Sequence, residues 1–242
     1  MKRYLLIVAA LLCTSPAWAA TYVSSKFCND PGFPTTTLTC TQTLTAGNTI
    51  ILFGMGTYNA LANNLTFSSS QGDVIVQSIA NCNAPSDGGL GANKGAYIVS
   101  AVGGSTTFTL TSDNSIYLEI YVVEYSGVGS FIDCNNATST AGNVTTAAIT
   151  TGANNALLVG LAWSQGSGAL SLNTVSSGYT ARRTFAAGLV YAGGWDSLTN
   201  TAGSQTFSIS LTPTSGTYLG ALIMGFNGAA GGGIVKHKAR SF

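Results

Sequence analysis

Charge is what this chain has least of. Only 7% of its 242 residues are Asp, Glu, Lys or Arg, against 30 glycines and a surplus of Ser, Thr and Asn. Histidine occurs once, as His237 near the C-terminus, and proline five times. Each shortage excludes something. A Ser-His-Asp or Cys-His nucleophile needs a base that only His237 could supply. Of the nine basic residues, Lys2 and Arg3 lie at the start and Lys236, Lys238 and Arg240 at the end, leaving four in the body against eight acids. Clustered cations that would displace counterions from nucleic acid are therefore missing. No two cysteines have zinc-ligand spacing, so no cofactor or metal is indicated. GGLGANKG (88–95) lacks the GK[ST] ending and the helix of a phosphate loop. Asp87, Asp113, Asp133 and Asp196 fall in Asn/Gly/Ser-rich stretches and read as turn aspartates, with Ca²⁺ as the weaker alternative.

What is present begins with a targeting segment. Lys2-Arg3, the apolar run Tyr4–Cys13 and the small-x-small site Ala17-Trp18-Ala19 form a secretory signal peptide over residues 1–19. Leu12 is too large for a lipobox before Cys13. No later run is long enough for a transmembrane helix. The expected products are a body at 20–227 and a Gly-rich, basic, flexible tail at 228–242. The chain is expected to be bacterial, secreted or held at the cell surface. Three Asn-x-Thr matches are read as incidental.

Four cysteines survive processing: Cys28, Cys40, Cys82 and Cys134. An even number in an exported chain predicts two disulfides, with three pairings open and Cys28–Cys40 with Cys82–Cys134 favoured. The first would close a loop worth roughly 3 kcal/mol in the chain-entropy model.

The body consists of short β-branched and aromatic runs punctuated by Gly, Asn, Ser and Asp. These predict an all-β antiparallel sandwich of about a dozen strands, jelly-roll-like or immunoglobulin-like. Turns are expected at Ala46-Gly47-Asn48, Gln71-Gly72-Asp73 and Ser112-Asp113-Asn114. Asn155–Trp163 and Gly220–Phe226 are nearly continuous apolar runs and so should be covered on both sides or lie centrally. TFSISLT (206–212) alternates, as a half-buried strand does.

IYLEIYVVEYSGV (116–128) carries two of the acids. Strand alternation sends Glu119 to the face of Tyr117, Tyr121, Val123 and Tyr125, and Glu124 to that of Ile116, Leu118, Ile120 and Val122. The two cannot form a glycosidase pair with each other. Glu119 is expected on a polar, partly solvated face, bonded to a neighbouring hydroxyl or anchoring a sugar. Glu124 is expected to need partners, either backbone N–H groups of a bulge or Arg182 and Arg183.

VVEYSGV (122–128), GNVTTAAITTGANNALLVGLAW (142–163) and Gly178-Tyr179-Thr180-Ala181-Arg182 together resemble exported bacterial β-sandwich domains of surface proteins. Those carry EYSG, ANDLLVG and G-[YF]-T-x-R strand motifs. The Thr49–Phe53 strand and the Ser69–Val74 turn look similar too, although the turn departs from the Asp-Ser-x-Gly-Asn those domains often have. The resemblance implies an exported sandwich and no particular activity.

A non-catalytic binding role is expected, for glycan or another surface polymer, with Trp163, Tyr191, Trp195, Tyr121, Tyr125 and Glu119 as contacts. The alternative is a self-assembling subunit of a matrix, filament or appendage, pairing through its strands. A hydrolase using Glu119 with a distant Asp196 is the weakest reading.

Overall fold

The computed structural model describes residues 19–29, 34–57, 64–84, 92–165, 171–187, 190–212 and 218–229. Residues 1–18 of the expected signal peptide, Asp87 and nearly all of the basic tail lie outside these residues. The described chain is all-β and antiparallel. The first half contains β1 (Thr21–Asn29), β2 (Thr35–Leu44), β3 (Thr49–Thr57), β4 (Leu65–Ser69), β5 (Asn83–Ala84), β6 (Ala92–Ile98) and β7 (Gly104–Ser126). The second contains β8 (Val128–Ser139), β9 (Asn143–Thr145), β10 (Ile149–Thr151), β11 (Leu157–Gln165), β12 (Ser171–Val175) and β13 (Thr180–Ala187). It ends with β14 (Val190–Ser197), β15 (Gly203–Gln205), β16 (Ser208–Thr212) and β17 (Tyr218–Gly228).

The two halves repeat one topology. An inner sheet has the order β1-β7-β3-β6-β5 in the first and β13-β14-β11-β17-β8 in the second, the same sequence of equivalent strands read from opposite edges. Each half adds an outer sheet, β2-β7-β4 or β12-β16-β9, while β10 and β15 form a separate ribbon. The sequence carries the duplication faintly. Thr45-x-x-Asn48 with Gly54 is echoed by Thr151-x-x-Asn154 with Gly160. Gly104-Ser105 with Phe108 is echoed by Gly203-Ser204 with Phe207, and Tyr117-Leu118 with Gly127 by Tyr218-Leu219 with Gly228.

Three apolar clusters separate the layers. One lies between the first outer and inner sheets (Leu52, Phe67, Phe108, Leu110, Ile120). A second lies between the two inner sheets (Phe53, Tyr121, Val123, Val159, Trp163, Met224). The third lies between the second inner and outer sheets (Leu158, Trp195, Phe207, Ile209, Ile223). Both inner sheets are thus covered on both faces, which is why β11 and β17 read as unbroken apolar runs. The predicted Asn155–Trp163 and Gly220–Phe226 strands sit centrally for this reason.

Several local expectations change. Asp73–Ile79 is not a strand; only Val76 bridges Tyr97. Ser112-Asp113-Asn114 is not a turn. It lies within the 23-residue β7, between the end of the β4 ladder at Ser112 and the start of the inner-sheet ladder at Tyr117, with a last β2 pairing at Ile116. Turn-forming residues mark a change of layer there, not a reversal. Asp133 and Asp196 lie in β8 and β14, not in turns. β8 and β12 are strands that composition hid, since both are rich in Asn, Ser and Gly or Thr.

Both favoured disulfides form. Cys28–Cys40 ties β1 to β2, the inner to the outer sheet. Cys82–Cys134 ties the segment before β5 to β8, joining the two halves, and spans 52 positions. A loop of that length corresponds to about 4 kcal/mol in the chain-entropy model. Beside it Tyr97 stacks on Phe131 at 5.0 Å, and at the opposite edge Phe27 stacks on Phe185 at 4.9 Å.

Glycine admits the tight interlayer contacts. A Cβ on Gly160 would lie 2.3 Å from the Phe207 ring, and one on Gly54 would lie 2.7 Å from Leu110. Gly160→Ala is expected to cost about 2 kcal/mol or more by overpacking. Gly152→Ala, which meets nothing within 4 Å, should be near neutral. Urea unfolding of the two variants checks this; equal midpoints would contradict the close packing.

Candidate functional site

The two glutamates of β7 do face opposite ways, and each has a different environment. Glu124 is buried. It accepts hydrogen bonds from Ser24 Oγ at 2.8 Å, the Thr45 N–H at 2.8 Å and Asn48 Nδ2 at 2.7 Å. Gln42 Nε2 donates in turn to Ser24 Oγ at 2.8 Å. A bulge at Val23 brings Ser24 opposite Glu124. The carboxylate therefore pins β1 to the turn between β2 and β3. Its backbone partner belongs to that turn, and none of these bonds comes from Arg182 or Arg183.

Glu119 corrects the expectation of a polar, solvated face. Its side is covered by the second inner sheet, so the residue is 8% exposed and Oε2 has no hydrogen-bond partner. Burial raises its pKa from 4.5 to about 7. The folded state holds this proton more tightly than the unfolded chain, so ionisation costs stability progressively between pH ~4.5 and ~7 and fully above it. Glu119→Gln should therefore be near neutral at about pH 4 and stabilising by about 3 kcal/mol at about pH 8. Thermal unfolding at the two pH values tests this; an equal effect at both would contradict it.

The five predicted aromatic contacts are also buried. Trp163 and Trp195 are each 1% exposed, and Tyr121, Tyr125 and Tyr191 are buried with them. Trp163 fills the space above Gly220 and lies 5.5 Å from Phe53. Trp195 lies 5.6 Å from Phe207 and 6.5 Å from Tyr191. Tyr121 packs on Gly194. None of these rings offers a face to a sugar. The glycine-rich strands they cross leave volume that only large side chains fill, so the aromatics go to the cores. Gly193-Gly194-Trp195 was the legible signal of that pairing.

One of the expected contacts, Tyr125, meets Arg182 and Asp196 in a structural polar cluster joining the halves. Arg182 Nε donates to Asp196 Oδ2 at 2.7 Å, and Tyr125 OH donates to the same oxygen at 2.8 Å. The guanidinium lies 4.5 Å above the Tyr22 ring, whose own hydroxyl is 3.0 Å from Ser25 Oγ. The β13 ladder shifts between Ala181 and Arg183, and this bulge turns Arg182 toward the partner half. Burial, then the Asp196 charge, pushes the Tyr125 hydroxyl well above its usual range. Asp196 is 1% exposed. It is tied to Arg182, not set against Glu119 as a second acid. Arg182→Ala leaves that carboxylate buried without its cation and should cost about 3 kcal/mol, measured by denaturant unfolding; a loss below about 1 kcal/mol, the size of an exposed pair, would contradict it.

The polar surface that remains is hydroxylic. On the second outer sheet, β9, β16 and β12 line an open depression of about 560 Å³ with Asn143, Thr145, Thr174, Ser176, Ser208 and Ser210. Thr145 and Ser208 hydroxyls are 2.8 Å apart, and those of Thr174 and Ser210 are 2.7 Å apart. The Ser208 N–H donates to Ser176 Oγ at 2.7 Å. No carboxylate or aromatic ring lines it. Attention to aromatics missed this site; alternation in SISLT was its signal. Among the described residues, no group of three or more His, Cys, Asp or Glu is placed to hold a metal.

Compared with known proteins, the chain matches no family model, no curated protein and no solved structure. The motif residues that suggested a resemblance each have a structural role in this fold. Glu124 and Tyr125 are bonded as described, Gly127 has φ +68° and Gly178 φ +83°. Gly160 receives Phe207, and Arg182 holds Asp196.

Proposed function

We propose that this protein is a non-catalytic, exported binding module for a neutral, polyhydroxylated surface polymer, a glycan foremost. The observation that carries the reading is the hydroxyl-lined depression on β9-β16-β12. Paired hydroxyls keep acceptor capacity toward solvent, and a neutral lining suits a neutral ligand whose own hydroxyls replace water. The acids support it indirectly. Glu124 accepts three hydrogen bonds, Asp196 is ion-paired to Arg182, and Glu119 lies on the opposite face of β7 from Glu124. Two disulfides fit an extracellular setting. No helix among the described residues is long and apolar enough to cross a membrane.

The test is retention of the full chain on insoluble β-1,3-glucan, cellulose and chitin, with anionic alginate as the contrast. Retention is expected on at least one neutral polymer and not on alginate. Ser210→Tyr, which fills the depression, should release the folded protein. No retention of the wild type, or unchanged retention of the variant, would overturn the reading. The self-assembly alternative has no specific observation in its favour.

A further inference from the structure

The outer face of β2-β7-β4, on the far side of the molecule from the depression, carries a two-dimensional array of hydroxyls. On β2, Thr37, Thr39, Thr41 and Thr43 are exposed, while Cys40, Gln42 and Leu44 are buried. On β7, Ser105, Thr107, Thr109 and Thr111 alternate with the buried Thr106, Phe108, Leu110 and Ser112. β4 adds Thr66 and Ser68. The register sets these in rows: Thr37–Thr111–Thr66, Thr39–Thr109–Ser68, Thr41–Thr107 and Thr43–Ser105. No shift interrupts the ladders between Thr37 and Leu44 or along β4. No charged side chain belongs to a row. Lys26 reaches only the Thr41 carbonyl, at 2.7 Å.

We propose that this face binds ice. A periodic, uncharged array fits a periodic, uncharged partner. Adjacent strands lie ~4.8 Å apart, and same-face residues along a strand ~6.8 Å apart. In ice, O–H···O bonds of about 2.75 Å meeting at tetrahedral angles place second-neighbour oxygens about 4.5 Å apart and repeat the stacked layers about every 7.3 Å. The two meshes differ by ~0.3 Å across the strands and ~0.5 Å along them per step. Over four rows the lag reaches about 1.5 Å, roughly half a water diameter. Threonine is well suited to such a face, because its β-branch restricts χ1 and holds hydroxyl and methyl in place with little entropy left to lose. A charged side chain in a row would instead keep its own hydration shell. This proposal is independent of the polymer-binding reading, which concerns the opposite face.

The test uses the full disulfide-bonded chain in thermal-hysteresis and ice-recrystallisation assays. Wild type is expected to shape ice crystals and hold their growth below the melting point. Thr109→Tyr, at the centre of the array, and Thr39→Tyr, on its edge strand, should each lose most of that activity. Thr184→Tyr, on the exposed part of β13, should retain it. Melting temperatures establish which variants fold, and either array variant suffices if the other does not. Wild type without hysteresis or recrystallisation inhibition would overturn the proposal. So would a folded array variant as active as wild type, or one that loses only polysaccharide retention.

Discussion

The structure depends on two inner sheets that are covered on both faces. A strand in such a sheet has no wet side, so β3, β11 and β17 must be apolar at successive positions and cannot alternate. Polar residues are displaced outward, to sheets with one dry and one wet face. That division accounts for the composition: neutral hydroxyls cover the outward faces, and two of the three buried acids among the described residues, Glu124 and Asp196, have local partners. Glu124 accepts three hydrogen bonds, and Asp196 has Arg182 and Tyr125. Glu119 lacks such support, and burial raises its proton affinity instead; burial likewise lowers that of Lys94.

Close packing within and between the layers also requires a fit between rings and glycines. Trp163 over Gly220, Tyr121 over Gly194 and Phe207 over Gly160 are one device used in different clusters. Each ring occupies a place where any Cβ would collide. This turns residues that look like a binding platform into packing elements. It also leaves recognition to the outer sheets, whose sides face away from the central cluster. The duplicated topology supplies two such faces, and their chemistry differs: a hydroxyl-lined depression on one, regular threonine rows on the other.

Much of the fold was legible. Apolar runs, turn glycines and cysteine parity gave the class and the disulfides, and period-two alternation in β7 correctly separated Glu119 from Glu124. What failed was what lies opposite each face. A single strand states that Tyr121 and Tyr125 share a side, not whether that side meets solvent or a second sheet. The choice was settled by the duplication, and its echoes, such as Gly104-Ser105 with Phe108 against Gly203-Ser204 with Phe207, are too short to stand out alone. Asp113-Asn114 misled for a related reason: a strand changing layers needs the same pliable residues as a reversal. The aromatic contacts failed because ring-bearing residues were weighed without the glycines they cover. The outer Thr and Ser positions were visible as alternation but were read as mere wet faces.

The central claim is that the two halves share one core and so stand or fall together. Native-state hydrogen exchange in rising denaturant tests it most directly, strand by strand. The expected result is that β3, the C-terminal part of β7, β11 and β17 exchange last and through a single common opening, with β2, β4, β9, β12 and β16 released earlier. Separate openings for the β3/β7 and β11/β17 pairs, or greatest protection in the outer sheets, would contradict it.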